Sequence, residues 1–130
     1  AKAASMIDPR IVRIADLLRE LAGSPIIVNN WHYVKPGRKL YRSSGFRAVW
    51  DKTGGQLSQH RRGCAADFKS DIFSPALLRG LILGDADRFG ALGLTTMEDL
   101  AYTPTWLHCD CRELIGVWAD FADPFLIVTP

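Results

Sequence analysis

The stretch from Asp8 to Gly23, DPRIVRIADLLRELAG, constrains the fold most. Ile11, Ile14, Leu17, Leu18 and Leu21 recur at three- and four-residue steps, which predicts a helix with one apolar face. Asp8 is placed to cap its start, Pro9 suits the first turn, and Gly23 suits a left-handed end. One amphipathic helix cannot bury itself, so the remaining chain must supply the surface it packs on.

That surface reads as strands. SPIIVNNW (24–31) is short, β-branched and aromatic, and CAADFKS (64–70), TWLHCDC (105–111) and PFLIVTP (124–130) read the same way. SPALLRGLILGDADRFGALGL (74–94) contains a helix that Ser74 can cap, with Gly84 and Gly90 as interruptions or ends. Residues 33–57 are rich in Gly, Lys, Arg and Ser and read as a long loop. Loops of that length in a compact domain usually serve a site. The expectation is one α+β domain over residues 1–130, a small antiparallel sheet with helices packed on one side.

Composition excludes several classes. With 48% hydrophobic and 23% charged residues the chain is neither disordered nor fibrous. A net charge of +2 is too mild for nucleic acid, and Lys35, Arg38 and Lys39, like Arg61 and Arg62, read as solvated surface. No run approaches the roughly 18–20 apolar residues of a membrane span, so membrane insertion is not expected. Three sparsely placed cysteines, Cys64, Cys109 and Cys111, argue against a disulfide framework, and reduced thiols suit synthesis in a cytoplasm. The start, AKAASMIDPR, has a single lysine with no apolar stretch after it, so no secretory signal is visible. Oligomeric state is not legible.

The chemistry-bearing residues fall in two short stretches, SQHRRGCAADF (58–68) and WLHCDCR (106–112). His60, Asp67 and His108 form a donor set of two imidazoles and a carboxylate, the kind that holds a catalytic zinc and leaves one position open. Gly63 permits a sharp turn, and Cys64, Ala65 and Ala66 are small enough for another segment to pack closely. On a strand, His108 and Asp110 share one face while Cys109 and Cys111 point to the other, toward the core. Asp110 is then placed to orient a ligand or to bind substrate. By composition alone, the same residues also read as ordinary buried hydrogen-bonding groups.

The order of the two stretches adds to this. SQHRRGCAADF resembles the S-x-H-x-x-G-x-A-x-D signature of the zinc D-alanyl-D-alanine metallopeptidases, and TWLHCDCR resembles their closing W-x-H-x-D element. That superfamily includes bacterial carboxypeptidases, phage endolysin peptidases and the hedgehog signalling domain. The likeness spans about residues 25–112, and IIVNNW followed by SSGFR is similar to the lead-in of phage-type members.

The resemblance implies that Zn2+ is held by His60, Asp67 and His108. It implies that Arg47 in SGFR, with Arg42 in LYRSS as the rival, grips a substrate carboxylate through its planar fork. Ser58 is placed to hydrogen-bond near the site or simply to form the turn. Many members carry a glutamate three residues before the last histidine, where this chain has Thr105. Glu98, in an intervening loop, is the expected general base, with Asp110 second and Asp99 beside them. The implied reaction is hydrolysis of an amide in the stem peptide of bacterial peptidoglycan, by a carboxypeptidase or an endopeptidase. A phage-type lytic enzyme of this kind is made in the cytoplasm and acts on the cell wall. The alternative is a zinc-binding recognition or structural domain that does not cleave. His32 reads as structural or at the rim of a groove, and Trp31, Trp50 and Trp106 as core or groove-lining residues.

Overall fold

A computed structural model describes residues 7–28, 36–37, 40, 58–114 and 126–128. The chain order is α1 (Pro9–Ala22), β1 (Ala65–Phe68), α2 (Pro75–Gly84), α3 (Ala86–Ala91), β2 (Thr96–Glu98), β3 (Leu107–Asp110) and β4 (Leu126–Val128). Helix α1 begins where its sequence signals place it. The Asp8 carboxylate accepts the Arg10 N–H at 2.9 Å, and Gly23 closes the helix at φ 60°. Ser74 caps α2 by accepting the Leu77 N–H at 3.2 Å. The region 74–94 divides at Asp85 into α2 and α3.

The strands lie side by side in the order β1–β3–β2–β4. β3 pairs antiparallel with both β1 and β2, with Asp67 opposite His108, Ala65 opposite Asp110, and Thr96 opposite Asp110 on the other side. β4 joins β2 in parallel. The architecture is therefore α+β around three antiparallel strands, with a parallel strand added at one edge. Two departures from expectation follow. Thr96–Glu98 is a strand where the sequence reads as loop, because a three-residue segment is too short to show alternation. Of the stretch 24–31, Ile27 makes an isolated antiparallel bridge to Lys69, while residues 29–31 and nearly all of 33–57 lie outside the described residues.

Strand alternation divides the sheet into two chemically different faces. Ala66, Phe68, Leu107, Cys109 and Met97 point to the side where Ile11, Ile14, Leu17, Leu18, Leu78, Ile82 and Phe89 complete one buried cluster. α1 packs on β1 and α2, and α2 packs on β3, so the helices cover this face. Asp67, His108, Asp110 and Thr96 belong to the opposite face, and all four are buried. No helix among the described residues is long and apolar enough to cross a membrane.

Phe89 is the one buried residue of α3, at 0% exposure, and anchors that short helix to the core. Phe89→Ala is expected to destabilise the fold by about 3–5 kcal/mol, because the cavity is enclosed by packed neighbours. Leu77→Ala, at a site 57% exposed on α2, is expected to change stability by about 0.5 kcal/mol or less. Urea unfolding of the two variants checks the contrast.

Candidate metal centre

His60 reaches the site from a turn, and the turn explains the glycine. The carbonyls of Ser58, Gln59 and His60 accept the N–H groups of Arg61, Arg62 and Gly63 at 3.0, 3.1 and 3.2 Å, a short helical coil. Gly63, at φ 73°, ends it and turns the chain into β1. The Gly63 carbonyl also accepts the Asp8 N–H at 2.9 Å, tying the start of α1 to the turn that carries His60. Asp67 and His108 need no such device, since they face each other across the β1–β3 pairing.

The three side chains converge. His108 Nδ1 lies 2.8 Å from Asp67 Oδ1, and His60 Nε2 lies 3.3 Å from the same oxygen. The two imidazole rings are 5.0 Å apart, nearly edge to face. One ligand atom from each residue lies within 4.8 Å of the other two, and all three residues are buried. Bonds of about 2.0–2.1 Å in a tetrahedral zinc site put ligand atoms about 3.4 Å apart. The His60–Asp67 spacing already matches, the His108–Asp67 spacing needs to open by about 0.6 Å, and every pair of ligand atoms lies within 4.8 Å. The donor set could therefore hold a divalent metal after small shifts of its side chains.

Asp110 completes the arrangement around His108. Its Oδ2 lies 3.1 Å from His108 Nε2, so one ring nitrogen meets Asp110 and the other meets Asp67. Asp110 is fully buried, and its charge is met by Arg112, whose Nε lies 2.8 Å from Oδ1 and whose Nη2 bonds Oδ2. Sequence reading passed over Arg112. The available signal was its position two residues past Asp110.

These contacts set the ionisation of the cluster. Burial acts against the charged form of His108, but bonds to Asp110 and Asp67 outweigh it and push its pKa up to about 9. Burial also opposes ionisation of Asp67, yet its bonds to His108 and His60 hold it below the usual carboxylate range. The same contest, won by Arg112 and His108, brings Asp110 down to about 2.

The other expected site residues are placed as follows. Glu98 is the last residue of β2, on the same strand face as Thr96, and its charge helps to raise the His108 pKa. Asp99 is occupied in a turn, where its carboxylate accepts the Ala101 N–H at 2.8 Å. Ser58 is half-buried and contributes its carbonyl to the turn before His60. Thr105 is exposed. Trp106 is half-buried with Lys69 Nζ 5.8 Å from its ring centre. Arg42, Arg47, His32, Trp31 and Trp50 lie outside the described residues. Cys109 and Cys111 are buried on the core side and point away from His108, as alternation requires. Burial raises the Cys109 thiol pKa well above its ordinary value and the Cys111 thiol to about 12. They are not metal ligands at this site.

Comparison of the chain with protein-family models, curated proteins and solved structures gives no match.

Metal and proton compete for His108. Because its pKa is raised, the ring carries a proton through neutral pH, and a metal that ligates it must displace that proton. Affinity for a divalent metal is expected to rise about tenfold per pH unit up to about pH 9 and then level off, with close to one proton released per ion at pH 7. Chelator competition and calorimetry in buffers of different ionisation enthalpy measure both. Gly63→Ala forces a side chain into the left-handed region and is expected to cost about 1 kcal/mol or more of stability. It should also weaken divalent-metal binding by displacing His60, whereas Gly80→Ala, at a helical glycine with open space around it, should not.

Proposed function

We propose that the protein is a zinc-dependent peptidase that hydrolyses an amide bond in the peptide part of bacterial peptidoglycan. The observation that carries this reading is the convergence of His60, Asp67 and His108 in one buried cluster. Bound there, zinc supplies Lewis acidity toward a carbonyl oxygen and acidifies water to a pKa of roughly 7. The choice of substrate is supported by the S-x-H-x-x-G-x-A-x-D and W-x-H-x-D patterns, which resemble those of D-alanyl-D-alanine metallopeptidases.

The remaining work falls to the chain. Glu98 takes a proton from the attacking water and delivers it to the nitrogen of the leaving amine as the C–N bond breaks. Its support is its place at the end of β2, on the metal side of the sheet and close enough for its charge to act on His108. Asp110 is the less suited base, because both of its oxygens are engaged by Arg112 and His108. It serves instead to orient His108. Arg47 clamps a carboxylate of the peptide and Ser58 lies near the bound chain, both roles resting on the motif resemblance.

Digestion of purified peptidoglycan, with products identified by mass, tests this reading. Soluble peptide products or free D-Ala are expected, and are expected to disappear with a chelator and return with zinc. Glu98→Gln should lower the rate about 10²–10⁴-fold while zinc content stays at one per chain. A zinc-loaded protein that releases nothing from any peptidoglycan, and is indifferent to Glu98→Gln, would instead be a recognition domain.

A further inference from the structure

We infer that Arg112 is a positioning residue for metal retention: through Asp110 it fixes which nitrogen of His108 is presented to Asp67. The inference rests on the metal reading of the cluster and adds to it a residue that the motifs do not include.

A carboxylate with no exposed surface, such as that of Asp110, is costly unless its oxygens are met by donors. Oδ1 accepts the backbone N–H of Arg112 at 3.1 Å and its Nε–H at 2.8 Å, while Oδ2 is bonded by Nη2 and lies 3.1 Å from His108 Nε2. The planar guanidinium grips both oxygens, so the plane of the carboxylate is set by Arg112. The acceptor offered to His108 Nε2–H is then fixed in direction as well as in place. A neutral imidazole that donates from Nε2 has its lone pair on Nδ1, the atom that lies 2.8 Å from Asp67 Oδ1.

Without the Arg112 fork, Asp110 keeps one backbone bond and His108 among the described residues. Its carboxylate can rotate, and the histidine is free to adopt the other tautomer or to turn its ring. Outer partners of this kind typically govern metal affinity by 10–100-fold. Lysine cannot reproduce the fork, because an ammonium meets the carboxylate at one point.

Zinc affinity by chelator competition and the His108 tautomer by nitrogen-15 NMR of the zinc-loaded protein test this. Arg112→Ala is expected to lose zinc about 10–100-fold more readily. Arg112→Lys is expected to recover part of that loss, and Asp110→Asn to resemble Arg112→Ala. Wild-type protein should show His108 protonated at Nε2, with mixed signals in Arg112→Ala. Arg88→Ala, which removes an exposed arginine paired with Asp85, is the control and should leave affinity and tautomer unchanged. Circular dichroism of each variant separates a lost site from a lost fold, and Arg112→Lys carries the test if Arg112→Ala does not fold. A wild-type protein that takes up no zinc sinks the metal reading and this inference with it. Normal zinc binding with affinity and tautomer unmoved in folded Arg112 variants sinks this inference alone.

Discussion

Everything at the candidate site depends on one cross-strand pair. Asp67 on β1 and His108 on β3 stand opposite each other, and the pairing of the two strands brings their side chains to 2.8 Å. A slip of one residue would send Asp67 toward the helices and bring Phe68 to the polar face, exposing a fully buried ring. Packing of Phe68, Leu107 and Cys109 under α1 and α2 therefore holds the register of the polar residues above. Core and site are stabilised by the same alternation, read from its two sides.

The third member arrives by a different route. His60 lies on a coil ended by Gly63, and that coil is tied to α1 through the Asp8 N–H. The first helix thus does two jobs. Its apolar stripe covers the sheet, and its N-terminus holds the turn in place. This makes the position of His60 a property of the whole fold, whereas the Asp67–His108 pair belongs to the sheet alone.

Electrostatics then bind the cluster into a chain of charges. Asp67, His108, Asp110 and Arg112 alternate in sign as negative, positive, negative, positive when His108 is protonated. Buried charges tolerate such a setting because each meets a neighbour, and loss of any one weakens the compensation of the next. A divalent ion can replace the His108 proton as the positive element, which is why the same architecture suits both states.

Much of this was legible from residues in order. Helix α1 announces itself by its stripe and its caps. The face shared by His108 and Asp110, and the inward turn of Cys109 and Cys111, follow from the period of a strand. Strand β2 was not legible, because Thr96–Glu98 is too brief to carry a pattern, and with it went the placement of Glu98 on the metal side of the sheet. The parallel attachment of β4 was hidden for a related reason, since strand character says nothing about which neighbour is chosen. Local sequence determined the elements, their faces and the candidate donors, all of which depend on interactions a few residues apart. Tertiary structure alone decided that His60 meets Asp67 and that Asp67 faces a histidine 41 positions later. Those are outcomes of strand register and buried charge, and only the folded chain brings them into being.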